Sequence, residues 1–238
     1  VSHSIYSAIL SPQGKYLYEF FVIKSNDGYF LDCDITVVQD IIDNLIKYKL
    51  RSNIEIVNLS TKYVIGIINL EKFKELQISE GQKTETIIFR ESPIFVDPRA
   101  KKLGARILYS VEKLHLTIKK LHEEIIDKIN YLELAYLCGI PIKGIENLKD
   151  KLFGLEANFE EFQAIDFKKG CYVGQENTAR MKIKNKLRRR LIPISANEKL
   201  KIGDELFFEK KIIGKVLIDK PLSLIHISEP TRRTRISY

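Results

Sequence analysis

Cysteine is scarce in this chain. The 238 residues include three, Cys33, Cys138 and Cys171. Three widely spaced thiols make no disulfide framework, and a reducing compartment is the expected setting. No CxxC pair and no Cys/His cluster with zinc spacing occurs, so no stably bound metal is predicted. A four-cysteine iron–sulfur site within the chain is excluded by counting. Long apolar runs are also lacking: YVIGIINL (63–70) is far too short to cross a bilayer, and no membrane role is expected. The first residues, VSHSIYSAIL, show no basic segment followed by an apolar one, so no secretory signal is legible. They also begin with Val, and the expectation is that N-terminal residues are missing.

What is present is the balance of a globular protein, 45% apolar and 29% charged residues with a net charge of +8. A basic excess fits an anionic partner or compositional drift. AILSPQGKYLYEFFVI reads as a hairpin, with Pro12 and Gly14 at positions i+1 and i+3 of its turn. After a second turn at 26–28, strand-like YFLDCDI precedes an amphipathic helix with apolar residues at 37, 38, 41, 42, 45 and 46. IEIVNLS and YVIGIINL read as strands, 71–78 as a helix and TIIFR as a strand. The order strand–helix–strand–strand–helix–strand is that of a ferredoxin-like unit over 27–112. One long helix is expected over 117–137, stopping at Gly139 and Pro141. KIKNKLRRRLIPI and ELFFEKKIIGKVLI, with a turn at Gly203-Asp204, suggest a small C-terminal β-domain over 182–220. Residues 221–238 lack periodicity and read as a non-native or disordered tail, such as translated vector or assembly sequence.

The chemistry concentrates in KKGCYVGQENTAR (168–180). Gly170 and Gly174 permit a tight loop and close approach of a ligand to the backbone. QENTARMK is expected to begin a short helix, and a thiol at its start beside Lys169 sits where thiolate is favoured. Gln175 donates and accepts hydrogen bonds, and Glu176 can orient a cation or accept a proton. Residue chemistry alone leaves Cys171 either a ligand-facing thiol or a small buried residue. His115 and His122 do not form HExxH with LHEEIID, so no metal site is read there. As a strand, the run KIKNKLRRR would align Lys182, Lys184, Lys186, Arg188 and Arg190 on one face, a possible weak nucleic-acid contact through 182–190 or a solvated face.

Lys169 to Glu176, KGCYVGQE, resembles the KGC[FY]xGQE signature of the YgfZ family, folate-binding proteins of iron–sulfur cluster assembly and maintenance related to the glycine-cleavage aminomethyltransferase. LSPQGKYLYEF (10–20), DPRAKKLGAR (97–106), GIP (139–141), LEANFEEFQAIDFKKG (155–170) and Ala179-Arg180 extend the resemblance over about residues 6–220. Ala135 and Ala105 depart from it, where relatives carry Arg and an aromatic residue.

The resemblance implies an α+β, aminomethyltransferase-like folate-binding fold with the inserted ferredoxin-like unit and the C-terminal β-domain. Residues 1–26 and 113–181 would form the first, folate-binding domain. It also implies tetrahydrofolate or a derivative as ligand, with Glu156 in LEAN accepting from the pterin and Lys169 or Arg180 meeting its acidic end. The implied contact set is Glu156, Lys169, Gly170, Tyr172, Gly174, Gln175, Glu176 and Arg180, with Cys171 as the functional thiol. Iron–sulfur client or scaffold proteins are the implied partners, in a bacterial cytoplasm or a mitochondrial matrix. Two alternatives stay open: a tetrahydrofolate-dependent aminomethyltransferase, and an RNA-binding module linked to tRNA modification. Whether the chain is an enzyme is not settled by its residues, and an assembly factor is favoured.

Overall fold

The computed structural model describes residues 4–25, 28–82, 84–184, 187–194, 200–219 and 223–228. The chain divides into two compact units, 1–7 with 18–127 and 8–17 with 128–238. The first contains the whole stretch expected as an insertion, 27–112, together with 18–26. The second gathers 128–181 with the C-terminal strands.

The opening hairpin forms as read. Strands β1 (Ile5–Leu10) and β2 (Tyr16–Lys24) flank a turn closed by the Gly14 N–H donating to the Ser11 carbonyl at 2.8 Å. In the first unit, β3 (Tyr29–Asp32) pairs antiparallel with β2, Phe21 opposite Asp32. Helix α1 (Val38–Lys49) follows, entered through a short 3-10 turn that Asp34 caps by accepting from the Thr36 N–H.

The main sheet of this unit has the order β4-β7-β6-β5, built from Tyr63–Ile68, Ala105–Ser110, Ser92–Val96 and Thr86–Phe89. Helix α2 (Leu70–Ser79), capped by Asn69 accepting from the Lys72 N–H at 2.7 Å, contributes Phe73 and Leu76 to the core. Those side chains join Ile68, Ile87, Ile94, Ile107 and Tyr109 from the strands. The run IEIVNLS, expected as a strand, has no partner strand and stays irregular over 54–59, with most of its residues exposed. The strands of the main sheet come instead from 63–68 and from the three segments after α2.

The DPRAKKLGAR segment is used for packing in this unit. Asp97 and Arg99 are both buried, and the Arg99 fork donates to the Asp97 carboxylate at 3.1 and 2.8 Å. The Arg99 guanidinium lies 4.7 Å from the Phe21 ring centroid, with that of Arg106 at 4.4 Å. Arg106 is paired with Asp32 at 2.5 Å. Ala105, opening β7, is fully buried.

The long helix expected over 117–137 is two. Helix α3 (Leu114–Leu121) ends where His122 turns left-handed, and α4 covers Ile129–Leu137. The intervening Ile125 is 80% exposed, so its helical spacing from Ile118 and Leu121 found no core to face. Helix α4 does stop at Gly139, in the left-handed region, as the sequence predicts.

In the second unit, the PQGK turn is stitched to residues 150–154. The Tyr16 N–H donates to the Leu152 carbonyl at 2.8 Å, the Gly154 N–H to the Gly14 carbonyl at 3.1 Å, and Lys15 bridges Phe153. Helix α5 (Gln175–Ile183) follows, then a sheet of order β8-β11-β10-β9 from Arg189–Ile194, Ser223–Ser228, Lys211–Ile218 and Glu205–Phe208. Residues 223–228, expected within a tail without regular structure, form the strand between β8 and β10. Residues 221, 222 and 229–238 lie outside the described residues.

The basic strand face expected over 182–190 does not form. Lys182 belongs to α5, Lys184 caps it, Arg188 precedes β8 and Arg190 lies within it. Lys186 lies outside the described residues. The helix begun at Gln175 propagates through Ile183 and takes the first half of the run out of strand geometry.

Candidate functional site

Two features of the second unit carry the candidate chemistry, a loop and a cavity. The loop is 164–174, ahead of α5. Near its start the Asp166 carboxylate accepts from the Lys168 N–H at 2.8 Å. Lys168, Lys169, Gly170 and Cys171 are exposed. Lys169 Nζ lies 5.0 Å from the Tyr172 ring centroid, a cation over a π-face. The Tyr172 hydroxyl oxygen is shielded and has no hydrogen-bond partner among the described residues. Burial pushes the Tyr172 phenol above its ordinary range, and the Asp166 carboxylate adds to the shift.

Cys171 is thus an exposed thiol, the alternative to the buried reading left open above. It stands three residues before Gly174, the cap of α5, rather than on the helix's first turn. Gly174 itself is buried and left-handed. A Cβ there would lie 2.6 Å from the Ser11 carbonyl oxygen and 3.0 Å from Gly14 Cα. The second glycine of the motif therefore seats the helix start against the PQGK turn, and Asn177 reinforces the contact by donating to the Gln13 carbonyl at 3.1 Å. Gln175 opens α5, and Glu176 is exposed and paired with Arg180 at 2.6 Å.

The cavity, of about 550 Å³, is lined by Glu156 and by five cations, Lys15, Lys151, Arg180, Arg188 and Arg189. Phe153 and Met181 supply apolar surface and Asn177 an amide. Glu156 is buried, and its carboxylate accepts from the Phe153 N–H at 3.0 Å. Its carbonyl accepts from the Leu191 N–H at 2.9 Å, tying the LEAN segment to β8. Lys15 is held by donating to the Asp150 carbonyl at 2.8 Å. One buried carboxylate among five cations can accept from adjacent donors on a ring while the cations meet acidic groups.

Of the residues singled out from sequence, Glu156 and Arg180 come together here. Lys169, Gly170, Cys171, Tyr172, Gly174, Gln175 and Glu176 do not line this cavity. The sequence reading missed Lys15, Lys151, Asn177, Met181 and Arg189, and singled out Arg188 only as part of a basic strand face. Lys15 had a signal, being part of PQGK. Arg189 was hidden in the run taken for a strand, and Lys151 carried none. Among the described residues no group of three His, Cys, Asp or Glu is placed to hold a metal ion, and no helix is long and apolar enough to cross a membrane.

No family model matches the chain. Its sequence is similar to proteins named iron–sulfur cluster assembly factor IBA57 or its homolog, mitochondrial. The relative in Mycosarcoma maydis is 28% identical over 198 residues, covering 80% of this chain and 46% of that protein. The Dictyostelium discoideum relative is 25% identical, covering 83% and 52%, and the Homo sapiens one 27% identical, covering 79% and 52%. The chain spans about half the length of these curated relatives. Among solved structures it resembles the glycine cleavage system aminomethyltransferase T of Bartonella henselae, with a TM-score of 0.70 at 13% identity over 96% of this chain and 68% of that one. The chain has an aminomethyltransferase-like fold, and its sequence relatives are named as iron–sulfur cluster assembly factors.

Proposed function

We propose that this chain is the folate-binding part of an iron–sulfur cluster assembly or maintenance factor, with tetrahydrofolate or a derivative seated at Glu156. The observation that carries the reading is a buried carboxylate in a cavity whose other charged lining, among the described residues, is cationic. A reduced pterin presents an amide N–H beside an amino group, and Glu156 is suited to accept from both. The glutamate end of a folate is anionic, and Lys15, Lys151, Arg180, Arg188 and Arg189 supply the opposite charge. The residues present therefore fit the ligand. Cys171, exposed and outside the cavity, is the thiol offered to a cluster- or sulfur-bearing partner. The relatives' names support the assembly role and favour the mitochondrial matrix over a bacterial cytoplasm.

Titration calorimetry with tetrahydrofolate tests the site. Glu156→Gln keeps a carbonyl acceptor for the Phe153 N–H and removes the charge. Losing hydrogen bonds to a charged acceptor, each worth about 1.5–3 kcal/mol, weakens binding at least tenfold. Unchanged affinity in this variant would exclude Glu156 as the pterin acceptor. Cys171→Ala is expected to bind folate normally and to fail in restoring an iron–sulfur enzyme in cells lacking the factor. Full rescue by the alanine variant would make the thiol dispensable. The aminomethyltransferase alternative is supported by the fold alone, and turnover of an aminomethyl donor with tetrahydrofolate would revive it.

A further inference from the structure

The end of α1 and the residues that follow it, 46–57, form an apolar and basic surface of the first unit. Ile46, Tyr48, Leu50, Ile54 and Val57 are each more than half exposed. Single exposed apolar residues are ordinary, but several within one short stretch mark a surface that something covers. Cations alternate with the first three of them, Lys47, Lys49 and Arg51, and Lys62 follows in the turn before β4. Among the described residues none of these four cations has an ion-pair partner. Glu55 is the only acid from 46 to 57.

Leu50 carries the sharpest signal. The Ser52 N–H donates to the Lys49 carbonyl at 2.9 Å and closes a four-residue turn with Leu50 in its second position. Leu50 has φ +48° and ψ −118°, a combination that glycine adopts freely and an L-residue only under strain. Its side chain is 85% exposed, so no burial offsets that strain. The turn therefore lifts a leucine into solvent at a position where glycine would serve the fold better.

Aliphatic side chains interleaved with unpaired cations match a medium whose anionic groups lie directly above hydrocarbon. A tyrosine among them fits the same boundary, where one end of the ring is apolar and the other wet. We propose that 46–57 is a docking surface for an anionic lipid bilayer, lying on the membrane without crossing it. Leu50 and the neighbouring aliphatic side chains enter the acyl boundary, and Lys47, Lys49, Arg51 and Lys62 meet the headgroup phosphates. A nucleic acid fits less well: it offers phosphates to the cations but no apolar layer to Ile46, Leu50, Ile54 and Val57.

The test is co-sedimentation of the full chain with vesicles of phosphatidylcholine alone and of an equimolar mixture with phosphatidylglycerol. Binding is expected to the anionic mixture, with little to phosphatidylcholine, and should fall as salt is raised. Each cation near an anionic surface is worth about fivefold, so Lys47→Gln combined with Arg51→Gln should weaken partitioning by roughly 25- to 30-fold. Leu50→Gly should weaken it by at least about tenfold, while the melting temperature is unchanged or higher because glycine relieves the turn. A lower melting temperature in Leu50→Gly with vesicle binding intact would make the leucine structural and overturn its role. No binding to the anionic vesicles, or equal binding to both compositions, overturns the proposal. Binding that both variants leave untouched refutes the placement. A mass that rises with protein concentration without lipid, and that Leu50→Gly returns to the monomer's, assigns the surface to a second copy of the chain instead.

Discussion

Replacing Gly174 by Ala is expected to destabilise the second unit by about 2–5 kcal/mol, whereas the same change at Gly170 alters stability by less than about 1 kcal/mol. The two glycines flank Cys171 in one short motif and differ in space. Gly174 has φ +85°, where an L-residue costs about 1–2 kcal/mol. Its Cβ would also meet the Ser11 carbonyl oxygen at 2.6 Å and Leu10 Cβ at 3.1 Å, and overpacking of that kind costs about 1–3 kcal/mol. The obstructing oxygen belongs to backbone already accepting from the Gly14 N–H at 2.8 Å, so it yields only by opening the PQGK turn. A Cβ at Gly170 has nothing within 4 Å, and that residue is outside the left-handed region. Urea and thermal unfolding followed by circular dichroism measure both variants. At about 2–4 °C per kcal/mol, the midpoint for Gly174→Ala should fall by roughly 4–20 °C. A Gly174→Ala midpoint within 1 °C of wild type would refute the steric argument. An equal fall for Gly170→Ala would show that the exposed loop is held by more than the contacts described.

Three further outcomes follow from particular groups. Arg99→Ala leaves the Asp97 carboxylate buried without its partner and should cost about 3–5 kcal/mol; Arg99→Lys recovers little, because an ammonium lacks the fork that reaches both carboxylate oxygens. Wild-type denaturant midpoints in both would remove this pair from the account of the first unit. Tyr172→Phe deletes a shielded hydroxyl that lacks a partner and should leave the melting temperature unchanged or raise it, so a marked fall would reveal a bond this oxygen makes. Burial first, then Asp32 and Asp34, push the Cys33 thiol up from 9.0 to about 11. The folded state therefore holds this proton more tightly than the unfolded chain. That stabilisation is complete below about pH 9 and is lost as pH rises through about 11. Cys33→Ala should flatten the decline, and a pH–stability curve identical to wild type would rule it out.

Much of this was legible in the sequence wherever the physics is local. Pro12 and Gly14 dictate their turn, Gly139 ends α4, and β9 and β10 follow from their β-rich runs. The motif around Cys171 stood out by residue type, whereas the resemblance and not the local pattern pointed to Glu156 and Arg180. The readings that failed are those in which periodicity had no partner to act on. Ile118, Leu121, Ile125 and Ile129 keep helical spacing, yet the chain breaks at His122 and Ile125 faces solvent. IEIVNLS is β-rich, but no neighbouring strand takes up its hydrogen bonds. Alternating cations from Lys182 to Arg190 fit a strand until α5 claims the first of them.

Composition and local pattern by themselves determined the hairpin, some helix boundaries, the want of metal-ligand spacing and the segment where the thiol lies. Only the tertiary structure decided that Gly174 seats the start of α5 against the PQGK turn, because its Ser11 neighbour is remote in sequence. It likewise decided that Lys15, Lys151, Arg188 and Arg189 surround Glu156. Such a cavity is assembled by long-range backbone pairing, from Tyr16 to Leu152 and from Glu156 to Leu191. Local sequence sets which dihedral angles each residue prefers. Which distant cations converge on one carboxylate depends on how those elements pack, and no window of the sequence contains that information.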